Sequence, residues 1–302
     1  MGKIFSGINS LPAGSAPDTV TPGCLVLEGG AFRAVYGEGV LDKMMEEGIN
    51  FSCVIGVSAG ALNGFNYVSG QIGRAARINL AHRHDSRYVG FKAMRQNKGI
   101  IGFKFAFEEF PKTENPFDYD RFYSEDRRFI AVATRLDNGK AEYFEKGKCQ
   151  DIFQAIRASA SMPYISKPVN VEGIPCLDGG IRVKIPYRWA IDQGYEKIVI
   201  VKTRVRGNRR KEDSAEAKAA RRFYKSRPEF AEALRTSAAR ANREADEIDA
   251  LTDSGRFFTV SPSKDLGVGR IESDMEKLGA WYYLGYNDMS DRMEELRAYL
   301  GK

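Results

Sequence analysis

The sequence predicts an α/β protein built on parallel strands, and three observations predict it. Two short apolar runs, Gly23-Cys24-Leu25-Val26-Leu27 and Cys53-Val54-Ile55, each lead into a glycine-bearing turn. Stretches with helical spacing follow both, so the chain opens strand, turn, helix, strand, turn, helix. That βαβα order implies parallel strands joined by right-handed crossovers. A third run, residues 197–203, has an apolar centre of the kind found in sheet interiors. Of the 302 residues, 43% are hydrophobic, enough for a sizeable core and too many for a disordered chain.

Residues 1–22, rich in Ser, Gly, Pro and Thr, read as a flexible N-terminal arm. The first strand, residues 23–27, ends in Glu28-Gly29-Gly30-Ala31-Phe32-Arg33. A helix over about 35–47 places Val40, Leu41, Met44 and Met45 at core spacing, and Gly48 stops it. The second strand ends at Ser58. Residues 71–84 read as helix and carry the only two histidines, His82 and His84. Ten aromatic residues lie between Tyr88 and Tyr123. They read either as a core-facing set or as the wall of an acyl-chain pocket.

Residues 129–134 and 141–144 flank Asp137-Asn138-Gly139, a hairpin signal. Asp151 opens a helix that stops before Pro163. Residues 169–177 turn at Glu172-Gly173 and deliver Asp178-Gly179-Gly180, and Ile185-Pro186 opens another helix. After Thr203 the chain turns basic as far as Arg227, then runs helix-like to about Leu251 with a break near Pro228. That segment reads as a solvated helix face or as a peripheral contact with an anionic membrane surface. One more strand is expected at 257–261 and closing helices at 274–300. No linker splits the chain, so 23–302 reads as one domain, with a core to about 205 and a helical part from about 206.

The net charge of +6 permits an anionic partner, but no base-reading motif accompanies it, so no nucleic acid is expected. Cys24, Cys53, Cys149 and Cys176 lie far apart without metal-ligand spacing, which predicts a reducing, cytoplasmic setting and no metal. No apolar stretch reaches membrane-spanning length. Met1-Gly2-Lys3-Ile4-Phe5-Ser6 fits the pattern for N-myristoylation. Oligomeric state is not legible.

Gly56-Val57-Ser58-Ala59-Gly60 has the form of a nucleophile elbow. A strand ends, the chain turns sharply, and the serine sits at the turn with a helix starting behind it. A side chain at Gly56 or Gly60 would collide with neighbouring backbone. The helix start aims free amides and positive dipole at the Ser58 hydroxyl. Gly29-Gly30 departs from a dinucleotide fingerprint at Ala31 and Ala34, and reads better as a loop whose amides face the elbow as an oxyanion hole. Arg33 would hold that loop in shape or meet an anionic head group. A serine nucleophile needs a base. With no histidine after His84, the leading candidate is Asp178, which ends a strand-like run before two glycines.

Leu27-Glu28-Gly29-Gly30-Ala31-Phe32-Arg33, Gly56-Val57-Ser58-Ala59-Gly60 and Asp178-Gly179-Gly180 resemble, in order, the three motifs of the patatin-like phospholipases. Gly39-Val40-Leu41-Asp42, Ala61-Leu62-Asn63 and Ala158-Ser159-Ala160-Ser161-Met162-Pro163 are similar to the bacterial branch. The resemblance runs from about residue 23 to the C-terminus. It implies a three-layer α/β/α fold with a mainly parallel central sheet and a helical C-terminal extension. It also implies a Ser-Asp dyad, with Ser58 as nucleophile and Asp178 as base. Backbone donors would come from Gly29, Gly30, Ala31 and Ala59, with Arg33, Gly56, Gly60, Gly179 and Gly180 in support. The implied activity is hydrolysis of a lipid or other carboxylic ester without a cofactor. Ala31 and Ala34 stand where the family loop commonly has glycine, and the donors survive that exchange if φ is negative. The rival classes are an acyltransferase of related fold and a non-catalytic lipid-binding or scaffold protein.

Overall fold

Eight strands form one sheet, the central ones continuous apolar runs buried on both faces: β1 (Thr21–Leu27), β2 (Phe51–Val57), β3 (Arg128–Arg135), β4 (Ala141–Glu145), β5 (Val169–Val171), β6 (Ile174–Asp178), β7 (Ile198–Val201) and β8 (Phe257–Val260). The structure is a computed structural model that describes residues 4–97, 99, 101–113 and 115–302. The myristoylation pattern begins on residues 1–3, outside the described residues. The spatial order is β8-β7-β1-β2-β3-β6-β5, with β4 on the second edge of β3. From β8 to β3 the neighbours are parallel. β4, β5 and β6 join antiparallel.

The α-helices among the described residues are α1 (Val35–Glu46), α2 (Ala59–Val68), α3 (Arg74–His82), α4 (Phe91–Asn97), α5 (Phe110–Thr113), α6 (Tyr119–Tyr123), α7 (Ile152–Ser159), α8 (Tyr187–Asp192), α9 (Ala215–Phe223), α10 (Pro228–Arg235), α11 (Ser237–Asp253), α12 (Met275–Asp291) and α13 (Met293–Leu300). Strand alternation builds two cores. Leu25, Leu27, Val54, Phe129, Ala131, Val199 and Val201 pack with α1, α2, α7 and α12. Cys24, Val26, Cys53, Ile55, Ile130, Val132, Ile198 and Ile200 face Tyr187 and Ala190 of α8 and Ile248 of α11. Helices cover both faces, so the fold is three layers, α/β/α. Most of the aromatics between Tyr88 and Phe122 are buried in the larger core, Arg74 among them over the rings of Phe65, Phe110 and Phe117.

The first of these cores is closed by a tight crossing of α1 and α12. A Cβ at Gly39 would lie 2.1 Å from the Tyr282 carbonyl, and one at Gly285 would lie 2.0 Å from that of Tyr36. The C-terminal part also contributes β8 to the sheet.

Two expectations are corrected. The segment read as a flexible arm is tied to the body at several points: Phe5, Leu11 and Ala16 are buried, and Gly14–Ser15 pairs antiparallel with Gln71–Ile72. The strand partner of Gly14–Ser15 lies more than 50 residues away, so local composition does not carry that pairing. That pairing also takes residues 71–72 out of the expected helix, and α3 starts only after Gly73, whose φ is +73°.

Candidate active site

Ser58 follows β2 directly and has φ +56° and ψ −125°. A non-glycine residue held in this left-handed region is strained, and the surroundings hold it there. The Ser58 amide donates to Ser159 Oγ at 2.8 Å, and Ser159 Oγ donates to the Val132 carbonyl at 2.6 Å. The Ser58 carbonyl accepts from Ala61 and Leu62 as α2 begins. A Cβ on Gly56 would lie 2.5 Å from the Gly60 carbonyl oxygen, and one on Gly60 would lie 2.5 Å from that of Leu27. The close approach of backbone to backbone therefore needs glycine at both flanks.

β3 is the template that brings Ser58 to Asp178. β2 runs parallel to β3 and ends with Val57 paired to Val132. β6 runs antiparallel along the same edge and ends with Asp178 paired to Ala133. The carboxyl ends of two oppositely directed strands thus meet at adjacent residues of one strand. Ser58 Oγ donates to Asp178 Oδ2 at 2.7 Å, across 120 residues of sequence. The other carboxylate oxygen, Oδ1, accepts from the Gly180 amide at 2.7 Å. The Asp178 and Gly179 carbonyls accept from Thr134 Oγ1, and Gly179 lies so close over Val132 that a Cβ would be 2.1 Å from its carbonyl oxygen. Burial pushes the Asp178 carboxyl above its ordinary pKa, and the Lys184 ammonium and the Ser58 hydroxyl pull it back.

The glycine loop passes against the elbow. A Cβ on Gly29 would lie 2.6 Å from the Val57 carbonyl oxygen and 2.8 Å from Ser58 Cβ. Among the described residues, no partner takes a hydrogen bond from the amides of Gly29, Gly30 or Ala59. Ala31 has φ +50°, so the condition of negative φ is not met there, and this alanine takes the conformation glycine would adopt more easily. Ala34 has φ −70° and no such strain. Glu28 anchors the loop: its Oε2 accepts from the Thr203 amide at 2.7 Å and its Oε1 from Arg210 Nη2 at 2.8 Å. Arg33 Nε donates to the Val268 carbonyl at 2.9 Å, Trp281 Nε1 donates to the Arg33 carbonyl at 2.8 Å, and the Phe32 amide donates to the Arg270 carbonyl.

Two cavities reach Ser58. One, about 70 Å³, is mainly apolar and runs between α2, α3 and the aromatic segment, lined by Ala59, Leu62, Phe65, Ile78, Phe107 and Met162. Glu38, Asn66, Arg74 and Asn79 give it polar points, and Glu38 Oε2 has no hydrogen-bond partner among the described residues. The other, about 360 Å³ by the same measure, is lined by Gly29, Gly30, Ala31, Asp178 and many basic side chains. Neither histidine lines either cavity. His82 packs against the rings of Phe105 and Phe110, and His84 meets the Ser273 carbonyl. Sequence reasoning did not single out Ser159, Thr134, Thr203 or Lys184 as site residues. Ser159, Thr134 and Thr203 act through contacts more than 40 residues away in sequence, and although Ser159 stands in the Ala158–Pro163 pattern, that pattern does not assign it a role; Lys184 lies close to Asp178 in sequence but acts on it through charge, which no motif marks.

The family model for patatin-like phospholipase matches residues 25–191, more than half of the chain. The protein belongs to the patatin-like phospholipase family. A second model, a domain of unknown function (DUF6363), matches residues 227–301. The chain is 32% identical over 186 residues to the uncharacterized protein YjjU of Escherichia coli K12, covering 59% of this chain and 51% of that protein. It therefore spans about half the length of that curated relative. VipD from Legionella pneumophila aligns with TM-score 0.51 and 14% identity over 97% of this chain and 70% of VipD, a likeness of fold. The type III effector ExoU aligns at TM-score 0.40 with 13% identity, covering 93% of this chain and 54% of ExoU.

Proposed function

We propose that this patatin-like protein is a serine acyl hydrolase that cleaves carboxylic ester bonds of lipids, with Ser58 as nucleophile and Asp178 as base. The observation that carries this reading is the 2.7 Å hydrogen bond from Ser58 Oγ to Asp178 Oδ2 at a strained turn, with no histidine in either adjoining cavity. Asp178 takes the Ser58 proton as Oγ attacks the ester carbonyl. The amides of Gly29, Gly30, Ala31 and Ala59 receive the oxyanion, and one such donor is worth about 3–4 kcal/mol of barrier. As the tetrahedral intermediate collapses, Asp178 returns the proton to the leaving alcohol oxygen and an acyl-Ser58 ester remains. Asp178 then takes a proton from water, whose oxygen attacks that ester, and the fatty acid leaves as Ser58 recovers its proton. The apolar cavity suits the acyl chain.

Asp178→Asn is expected to leave a folded protein with ester hydrolysis reduced by about 10²–10⁴-fold, the usual range for a lost general base. Combined His82→Ala and His84→Ala should hydrolyse the same short-chain ester at close to the wild-type rate. A folded but inactive histidine double variant would refute the dyad.

A further inference from the structure

The wider cavity concentrates positive charge that the protein itself does not neutralise. Among the described residues, Arg33, Lys184 and Arg204 line it without an ion pair. Arg210 and Arg270 line the same cavity, paired with Glu28 at 2.8 Å and with Glu216 at 3.5 Å. These cations oppose one another. Burial and the charges of Arg210, Arg33 and Arg270 lower Arg204 to about 10, and burial together with Arg210 lowers Lys184 to about 8. Like charges held together are destabilising in the empty cavity, and an anion placed among them relieves that repulsion. Arg33 spends only Nε on the protein, at the Val268 carbonyl, and Arg204 only Nη1, at Asn208 Oδ1. Each guanidinium keeps further donors, and guanidinium donors match phosphate oxygens in geometry.

The position of Asp178 fixes which half of the substrate meets this charge. Asp178 lines the cationic cavity and not the apolar one, while Ser58 lines both. On the dyad reading, on which this step rests, Asp178 protonates the leaving oxygen. The alcohol half of the ester therefore lies on the cationic side and the acyl half on the apolar side. We propose that Arg33, Lys184, Arg204 and Arg270 form a subsite for a phosphate group carried by the leaving alcohol. The preferred ester is then one whose alcohol bears an anionic phosphate with no compensating cation, such as a glycerol phosphate monoester. A zwitterionic head group would bring a positive charge into a cavity that already has an excess of it.

Binding and hydrolysis test this separately, both on the full chain. In the Ser58→Ala protein, sn-glycerol 3-phosphate should bind and raise the melting temperature, and glycerol should do neither. Adding Arg204→Gln and Arg270→Gln should weaken glycerol 3-phosphate binding at least about tenfold, in line with the loss of charge-assisted hydrogen bonds. In the Ser58 protein, 1-acyl-glycerol 3-phosphate should be cleaved with kcat/KM at least about tenfold above that of the 1-acyl-glycerol with the same chain. The Arg204→Gln, Arg270→Gln variant should bring that ratio towards one. A wild-type ratio near one, or a ratio the variant leaves intact, overturns the subsite while any Ser58-dependent cleavage keeps the hydrolase reading. Inorganic phosphate binding as tightly as glycerol 3-phosphate, with no preference between the two esters, assigns the cavity to free phosphate and also overturns it. If neither ester is cleaved, the hydrolase reading fails, and glycerol 3-phosphate binding still decides the subsite.

Discussion

Asp178 is asked to be a base while buried, and the two demands pull in opposite directions. Burial raises its pKa above 3.8, the ordinary aspartate value, so the ionised form is harder to reach in the folded protein. The Lys184 charge, the Ser58 hydroxyl and the Gly180 amide each favour that ionised form. Because the folded pKa is raised, Asp178 favours folding most below its unfolded pKa, and that contribution is lost as pH rises through the folded value. Activity has the opposite sign, since only the carboxylate accepts a proton. The acid limb of kcat/KM should therefore have its midpoint above 3.8. A pH–rate profile on a soluble ester checks this, and a limb at or below the ordinary value would show that another group titrates. On a phosphate-bearing ester, Lys184, lowered to about 8, adds a loss on the alkaline side as its charge leaves the cationic cavity. The motifs around Ser58 and Asp178 were legible in the sequence because strand-end glycines are local signals. The role of Ser159 was not, since its contact with the Ser58 amide exists only once α7, β3 and the elbow have assembled.

At the scale of elements, β3 and the α1–α12 crossing carry the arrangement. β3 sets the separation of Ser58 and Asp178 by pairing Val132 with one strand end and Ala133 with the other. The parallel opening, β1-α1-β2-α2, could be read from apolar runs and glycine turns. The meeting of β2 and β6 on one edge could not, because strand order depends on pairing across the whole sheet. The α1–α12 crossing makes a direct prediction. Gly39→Ala places a methyl 2.1 Å from the Tyr282 carbonyl oxygen and 2.7 Å from the Tyr286 nitrogen, backbone atoms that cannot rotate away. Overpacking of this kind costs about 1–3 kcal/mol. The midpoint of urea unfolding should fall accordingly, and an unchanged midpoint would mean that the helices separate freely.

For the whole molecule, the C-terminal part is built into the candidate site. Val268, Arg270 and Trp281 hold the glycine loop from more than 230 residues away, and Arg270 lines the cationic cavity. Composition suggested a helical extension and could not assign these contacts. The basic segment is likewise less free than its composition implies. Arg206, Arg209, Arg210 and Arg221 pair with Asp253, Asp246, Glu28 and Glu232. Phe223, 61% exposed beside Arg222 and Lys225, packs on Tyr164, which lines the cationic cavity together with Ile165, 40% exposed. No helix among the described residues is long and apolar enough to cross a membrane. We propose that this tip, apolar and basic together, is where the protein would dock peripherally, with basic residues worth about 1 kcal/mol each at an anionic surface. Phe223→Ser with Arg222→Gln should lower co-sedimentation with phosphatidylglycerol vesicles several-fold, and more at low salt than at high. Binding equal to wild type would leave the tip as ordinary surface.

The central claim is that Ser58, activated by Asp178, becomes covalently acylated. Reaction with a fluorophosphonate followed by mass mapping of the labelled peptide tests it most directly. The account predicts one modified residue, Ser58, with labelling absent in Ser58→Ala and slowed by orders of magnitude in folded Asp178→Asn. Labelling that persists in Ser58→Ala, or that proceeds at the wild-type rate in Asp178→Asn, would contradict it.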